Sequence, residues 1–160
     1  MSTHYTEEEA IAWEHSLPRK TASACLVLRH GDTVLMVKAS YKPHWSFPGG
    51  IIEENEAPLA AALRETFEET GVSIAPEVCR PLGVIYVGPY QGHVDRFSFA
   101  FIADVDDPHL TLSVPNDEID EARWAAIADI PALTHHIPHY EQIYQALETG
   151  APNSYYAEHL

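Results

Sequence analysis

The chain has 160 residues, 46% of them hydrophobic, which suits one folded domain and excludes global disorder. Twenty-four acidic residues against nine basic ones set a formal charge of −15, which disfavours a nucleic-acid polymer or an anionic membrane as the main partner. A small polyphosphate stays compatible, because bound cations reverse the field of a carboxylate cluster.

Thr6, with Glu9 three residues on, has the form of a capping box and predicts a first helix over 6–16, closed by Leu17-Pro18-Arg19-Lys20. Its apolar residues Ile11, Trp13 and Leu17 need a partner surface, either the core or a second copy of the chain in a homodimer. The opening Met1-Ser2-Thr3-His4 has neither a basic segment nor an apolar run, and no stretch reaches the length of a membrane span. Cys25 and Cys79 are too few for a disulfide framework. The expectation is a reduced, cytoplasmic protein with no membrane partner.

Residues 21–29 and 33–38 are apolar runs around the turn His30-Gly31-Asp32 and predict a β-hairpin. An aromatic-rich loop over 39–46 leads into Phe47-Pro48-Gly49-Gly50, where the backbone must turn sharply. Residues 57–70 predict a helix, with Pro58 in the first turn, several alanines, and Gly71 as the stop. Two long strands are predicted over 78–87 and 94–105, the second with Phe97, Phe99 and Phe101 alternating with Ser98, Ala100 and Ile102. A short edge strand is expected at 110–114, a weaker strand at 118–124 and one helical turn at 127–130. The last helix, 138–148, carries the stripe Ile137, Tyr140, Ile143, Tyr144 and Leu147, and Gly150 ends it. This divides the chain into a helix and linker over 1–20, one domain over 21–150 and a loose tail over 151–160. Strands around a central helix, with helices at both ends, predict an α/β (α+β type) fold: a mixed β-sheet covered on both faces, an α/β/α sandwich.

The central helix concentrates the chemistry. Glu65, Glu68 and Glu69 stand at i, i+3 and i+4 and share one face, beside Arg64. Such a trio is ordinarily a solvated acidic face. Here it occupies the last turns, where the helix dipole disfavours anions, and it follows a Gly-Gly turn and a second cluster, Glu53, Glu54 and Glu56. Carboxylate-only ligation suits Mg²⁺ or Mn²⁺ rather than zinc.

The spacing Gly50, Glu56, Arg64-Glu65, Glu68-Glu69, Gly71 resembles the Nudix box at every fixed position, and the likeness runs from about Leu17 to about Ile130. One site departs: Thr66 stands where an aliphatic residue is usual, and it should face the core. The resemblance implies a Nudix-like sandwich and an Mg²⁺- or Mn²⁺-dependent hydrolase that cleaves a diphosphate linkage in a nucleoside diphosphate derivative by water attack at phosphorus. It implies metal ligation by Glu65, Glu68, Glu69 and the Gly50 carbonyl, and structural roles for Glu56, as partner of Arg64, and Gly71. A further loop Glu would act as ligand or base: Glu118, six residues before Trp124, with Glu121 as runner-up. The general base stays open between Glu65 and Glu118. Tyr41, Trp45 and Tyr90, with Arg96 as a spare cation, are candidate contacts to a small nucleotide, as is Lys42. Pro89 and Tyr90 stand side by side about where the family varies with substrate, and so favour no one substrate. His135, His136 and His139 are read as loop histidines, since Pro138 breaks any ligand register. A nucleotide-sensing, non-catalytic module of the same fold is the alternative.

Overall fold

The computed structural model describes residues 6–89, 93–106, 112–113 and 117–151, and the backbone alone of 153–158. Helix α1 (Glu7–Ser16) starts at the predicted box: the Thr6 hydroxyl accepts from the Glu9 N–H and the Glu9 carboxylate accepts from the Thr6 N–H. It buries none of its residues, and Ile11, Trp13 and Leu17 stay exposed. The expected docking on the core is therefore not made: acidic residues ring the helix, so it has no apolar face to lay down.

Strand β1 (Thr21–His30) and strand β2 (Thr33–Ala39) form the predicted hairpin. Their paired register is confined to Arg29↔Val34 and His30↔Thr33. Beyond it the strands splay. Strand β3 (Gly49–Ile51) enters the gap and pairs antiparallel with β1 at Ser23↔Ile51, Ala24↔Gly50 and Cys25↔Gly49. Helix α2 (Pro58–Thr70) follows, then β4 (Arg80–Val87), β5 (Arg96–Asp104), β6 (Ile119–Ala126), a short α3 (Ile130–Leu133), α4 (Pro138–Thr149) and β7 (Asn153–Glu158). The sheet is mixed and runs β6-β2-β1-β5-β4-β7, with β1–β5 and β4–β7 parallel.

One finding differs from the sequence expectation. Residues 153–158, expected as loose tail, form β7: Gly150 turns the chain in a left-handed conformation, and the open edge of β4 supplies the ladder partners. The strand expected at 118–124 is present as β6, paired antiparallel along β2, which is released from β1 beyond the turn. The expected strand at 110–114 lies mostly outside the described residues.

The strand period of two sends Ala24, Leu26 and Leu28 to one face and Val27, Ala100 and Ile102 to the other. Alanines 61 and 62 let α2 approach the first face closely; Ile143, Ala146 and Leu147 of α4 cover the second. Thr66 is fully buried with its hydroxyl donated to the Ala62 carbonyl at 2.7 Å, so the departure from the box pattern is absorbed inside the helix. Among the described residues no helix is long and apolar enough to cross a membrane.

The two ends of β3 and α1 predict opposite sensitivities. Trp13→Ser should shift stability by less than about 0.5 kcal/mol. Gly49→Ala should cost about 1–3 kcal/mol, because its Cβ would lie 2.3 Å from the Ala24 carbonyl oxygen. Urea denaturation of both variants checks the contrast.

Candidate active site

Helix α2 buries Ala61, Ala62, Thr66 and Thr70, so Glu65, Glu68 and Glu69 turn toward β3 and the splayed hairpin. Arg64 organises this edge. Its Nε donates to Glu56 Oε1 at 2.8 Å and its Nη2 to Glu56 Oε2 at 3.0 Å, the bidentate pair expected from the sequence. The remaining donors go further than expected: Nη1 reaches Glu65 Oε1 at 2.9 Å and Glu68 Oε2 at 3.2 Å, and Nη2 reaches the Ile51 carbonyl at 3.2 Å. Glu56 in turn accepts from the Glu53 N–H at 2.9 Å. One guanidinium thus ties the loop, β3 and α2 together.

Glu69 takes another route, accepting from the Gly49 N–H at 2.9 Å. Burial pushes its carboxyl up to about 7, against the pull of that N–H. Burial also raises Glu65, while Arg64 opposes the rise. Gly50 is placed for its lack of a side chain, since a Cβ there would meet Glu65 Oε1 at 2.4 Å. Gly71 closes α2 at φ +73° and donates to the Phe67 carbonyl at 2.8 Å.

A cleft of about 250 Å³ opens beside β3, lined on the sheet by Ser23, Cys25, Ser98 and Arg96 and on its other wall by Tyr41, Lys42 and the start of α4. Tyr41 and Arg96 both line this cleft. Trp45 does not: its ring packs against the core beneath Arg123, whose guanidinium carbon lies 4.3 Å from the ring centre, and its backbone N–H donates to the Leu133 carbonyl. Tyr90 lies outside the described residues. His139 and Tyr140 line the cleft and were not legible beforehand, because only the packing of α4 on the sheet brings them there. Glu118 is exposed, and its charge helps raise both the Tyr41 hydroxyl and the Glu69 carboxyl, though burial is the larger cause for each. Glu121 instead lies 4.0 Å from Arg123.

Among the described residues no three His, Cys, Asp or Glu side chains converge as a ready ligand set. Glu65 and Glu68 are held by Arg64 and Glu69 by Gly49. The donor set nonetheless fits a hard divalent cation, being all oxygen, and Glu69 is a buried carboxylate that a nearby cation would stabilise. The same test gives no support to a histidine centre: His136 pairs with Glu141 at 3.1 Å, and His44 meets His135 edge-on.

The Glu56 pair carries a pH signature. Hydrogen bonds from Arg64 hold the Glu56 carboxyl down at about 2, against an ordinary 4.5. Its contribution to stability is present above the ordinary value and is lost as pH falls toward the folded one. Glu69 works in the opposite sense, its contribution falling as pH rises from 4.5 toward about 7. Melting temperatures taken from pH ~5 to ~2.5 should fall less steeply in Glu56→Gln than in the parent.

Comparison with known proteins agrees with this geometry. The NUDIX domain family profile matches residues 18–147. An RNA pyrophosphohydrolase of Brucella abortus is 27% identical over 170 aligned positions, covering 91% of this chain and 94% of the relative. Two solved structures share the fold. The NUDIX domain of Shewanella oneidensis NrtR, complexed with ADP ribose, has a TM-score of 0.70 at 21% identity, over 89% of this chain and 99% of that one. A C. elegans Ap4A hydrolase has a TM-score of 0.64 at 20% identity, over 81% and 98%. With the profile spanning most of the sequence and the box geometry intact, the chain belongs to the NUDIX domain family.

Proposed function

We propose that this protein hydrolyses a diphosphate linkage in a nucleoside diphosphate derivative, with Mg²⁺ or Mn²⁺ held at the box. The protein is a Nudix hydrolase acting on phosphorus anhydrides, a class supported by the family match and by relatives named RNA pyrophosphohydrolase. The observation that carries the reading is the Arg64 hub, which holds Glu65 and Glu68 on one helix face beside Gly50 while Glu69 is fixed to Gly49. A protein that merely displayed acid would have no use for that positioning.

In this reading Glu65, Glu68, Glu69 and the Gly50 carbonyl hold the metal, with Glu118 from the loop before β6. A divalent cation held there would supply charge neutralisation on the diphosphate and acidify a water. The water oxygen bonds to phosphorus, the P–O–P bridge breaks, and the bridging oxygen leaves with the other phosphate. Glu65 or Glu118 takes the proton. Arg64 fixes the carboxylates in place, a task that suits its fork better than the point charge of Lys. Tyr41 and Arg96 contact the nucleotide in the cleft. A cytoplasmic location, a small-molecule substrate and a homodimer belong to the same proposal.

One observation favours a second reading, a nucleotide-binding module without turnover: the carboxylates do not converge in this structure. Thermal melts with EDTA and with excess Mg²⁺ separate the two, alongside a panel of nucleoside triphosphates, ADP-ribose and dinucleoside polyphosphates. Mg²⁺ should raise the melting temperature, because an ion that binds only the folded state stabilises it by mass action. Glu68 is half-exposed, with its pair to Arg64 at 3.2 Å. Glu68→Gln should therefore move metal-free stability by no more than about 0.5 kcal/mol, shrink the Mg²⁺ effect and lower turnover about a hundredfold or more. Full activity in a folded Glu68→Gln would remove the site assignment. Binding of nucleotide without hydrolysis across the panel would favour the second reading.

A further inference from the structure

Helix α4 crosses one face of the sheet, and its two ends line different cavities. His139, Tyr140 and Ile143 belong to the cleft beside β3. Ala146, Leu147 and Gly150 line a second cavity, of about 220 Å³, at the other end of the helix. Tyr140 and Leu147 are separated by about 10 Å of helical rise, and the two cavities share no lining residue.

The strand ladders gather charge at the rim of the second cavity. On β1 the row facing α4 runs Cys25, Val27, Arg29, and on β5 it runs Ala100, Ile102, Asp104. Parallel pairing sets Arg29 beside Asp104, and antiparallel pairing sets Arg80 beside Ile102. The Asp104 carboxylate bridges the two guanidiniums, accepting from Arg29 Nε at 2.6 Å and from Arg80 Nη1 at 2.8 Å. The bond from Arg29, more than that from Arg80, holds the Asp104 carboxyl below its ordinary range, so it is ionised. Two cations share one anion, and the rim keeps an excess of positive charge. Among the described residues each guanidinium spends one N–H on Asp104, and the rest of its fork has no protein acceptor. Below the rim the floor is apolar: Leu82, Ile102 and Leu147.

The excess charge selects an anion, and the surroundings select its kind. Asp104 and the negative end of the α4 dipole at Gly150 both oppose a dianion such as phosphate. A monoanion meets less of that repulsion. The planar edge of a carboxylate matches the unused guanidinium donors, and the floor accepts a hydrocarbon body. At the volume a water molecule takes in the liquid, the cavity holds roughly seven non-hydrogen atoms. The backbone of β7 joins the sheet beside Gly83 and runs toward Val87, which leads the end of the chain away from this rim.

We propose that Arg29 and Arg80, above the floor of Leu82, Ile102 and Leu147, form a binding site for a small organic monocarboxylate with an apolar body. The site lies apart from the box and its cleft, and binding there needs neither metal nor nucleotide.

The probe is sodium isovalerate, titrated into the full chain labelled with ¹⁵N, with EDTA present and ionic strength held constant with NaCl. Backbone amides of Arg80, Ala146, Leu147 and Gly150 should shift and saturate, while those of Gly49 and Gly50 stay in place. Acetate, which lacks most of the hydrocarbon, should bind at least about tenfold more weakly. Isovaleramide, of the same shape without the charge, and inorganic phosphate should be weaker by at least about the same factor. Arg80 is half-exposed, so Arg80→Gln should keep the parent spectrum elsewhere and lose at least about tenfold in affinity. Arg29→Gln should do the same, whereas Arg96→Gln, in the other cavity, should change nothing. The site is overturned if isovalerate gives no saturable shift in the parent, or if it binds the folded Arg80→Gln and Arg29→Gln chains as well as the parent. Loss of binding in Arg96→Gln would place the carboxylate in the cleft and overturn it equally. Phosphate or isovaleramide binding as tightly as isovalerate would overturn the ligand class.

Discussion

The bidentate pair between Arg64 and Glu56 is the constraint on which the site depends. Three glutamates in the last turns of a helix repel one another and oppose the dipole. Arg64 offsets part of that repulsion by donating to two of them from the same helix edge. It can do so because Glu56, across a short loop, holds the guanidinium plane in place and the Ile51 carbonyl braces its other side. The pair is thus a positioning device for the carboxylates rather than a large source of stability in itself.

The second constraint is the opening of the hairpin. If β1 and β2 stayed paired along their lengths, there would be no gap for β3. Their separation beyond the Arg29–Val34 pair lets Phe47-Pro48-Gly49-Gly50 wedge in beside β1, with the Leu26 N–H going to the Pro48 carbonyl at 3.0 Å. Only glycine fits at 49, where the β1 backbone comes within contact of the missing Cβ. The wedge aims the Gly49 N–H at Glu69 and leaves the cleft open on the other side of the sheet edge. Carboxylates and cleft therefore meet at β3, the acidic helix on one side and the cationic floor on the other.

That division of charge resolves an apparent conflict in the composition. A chain with a formal charge of −15 is an unlikely binder of phosphate by its overall field. The cationic side chains are placed locally instead. Lys42 and Arg96 line the cleft, and the box carboxylates are of the type that accepts a divalent cation before a polyphosphate arrives.

How much of this was legible beforehand follows the range of the interactions. The partnership of Arg64 with Glu56 was implied by the family resemblance, while local patterns were readable from the residues themselves: the capping box at Thr6 and Glu9, the close of α2 at Gly71, and the common face of Glu65, Glu68 and Glu69. Each rests on spacings of three or four residues or on one short connection, where the backbone leaves little choice. What the tertiary structure decided was pairing between distant segments. Trp45 read as a ligand contact but became a packing residue under Arg123; residues 153–158 read as a tail but found the bare edge of β4; α1, read as docking on the core or on a second copy, buries none of its residues on this chain's core. Ser23, Ser98 and Arg96 carry no motif and became neighbours only when β1 paired in parallel with β5. Such pairings are won in competition among all strand edges at once, so the residues involved carry no local mark of the outcome.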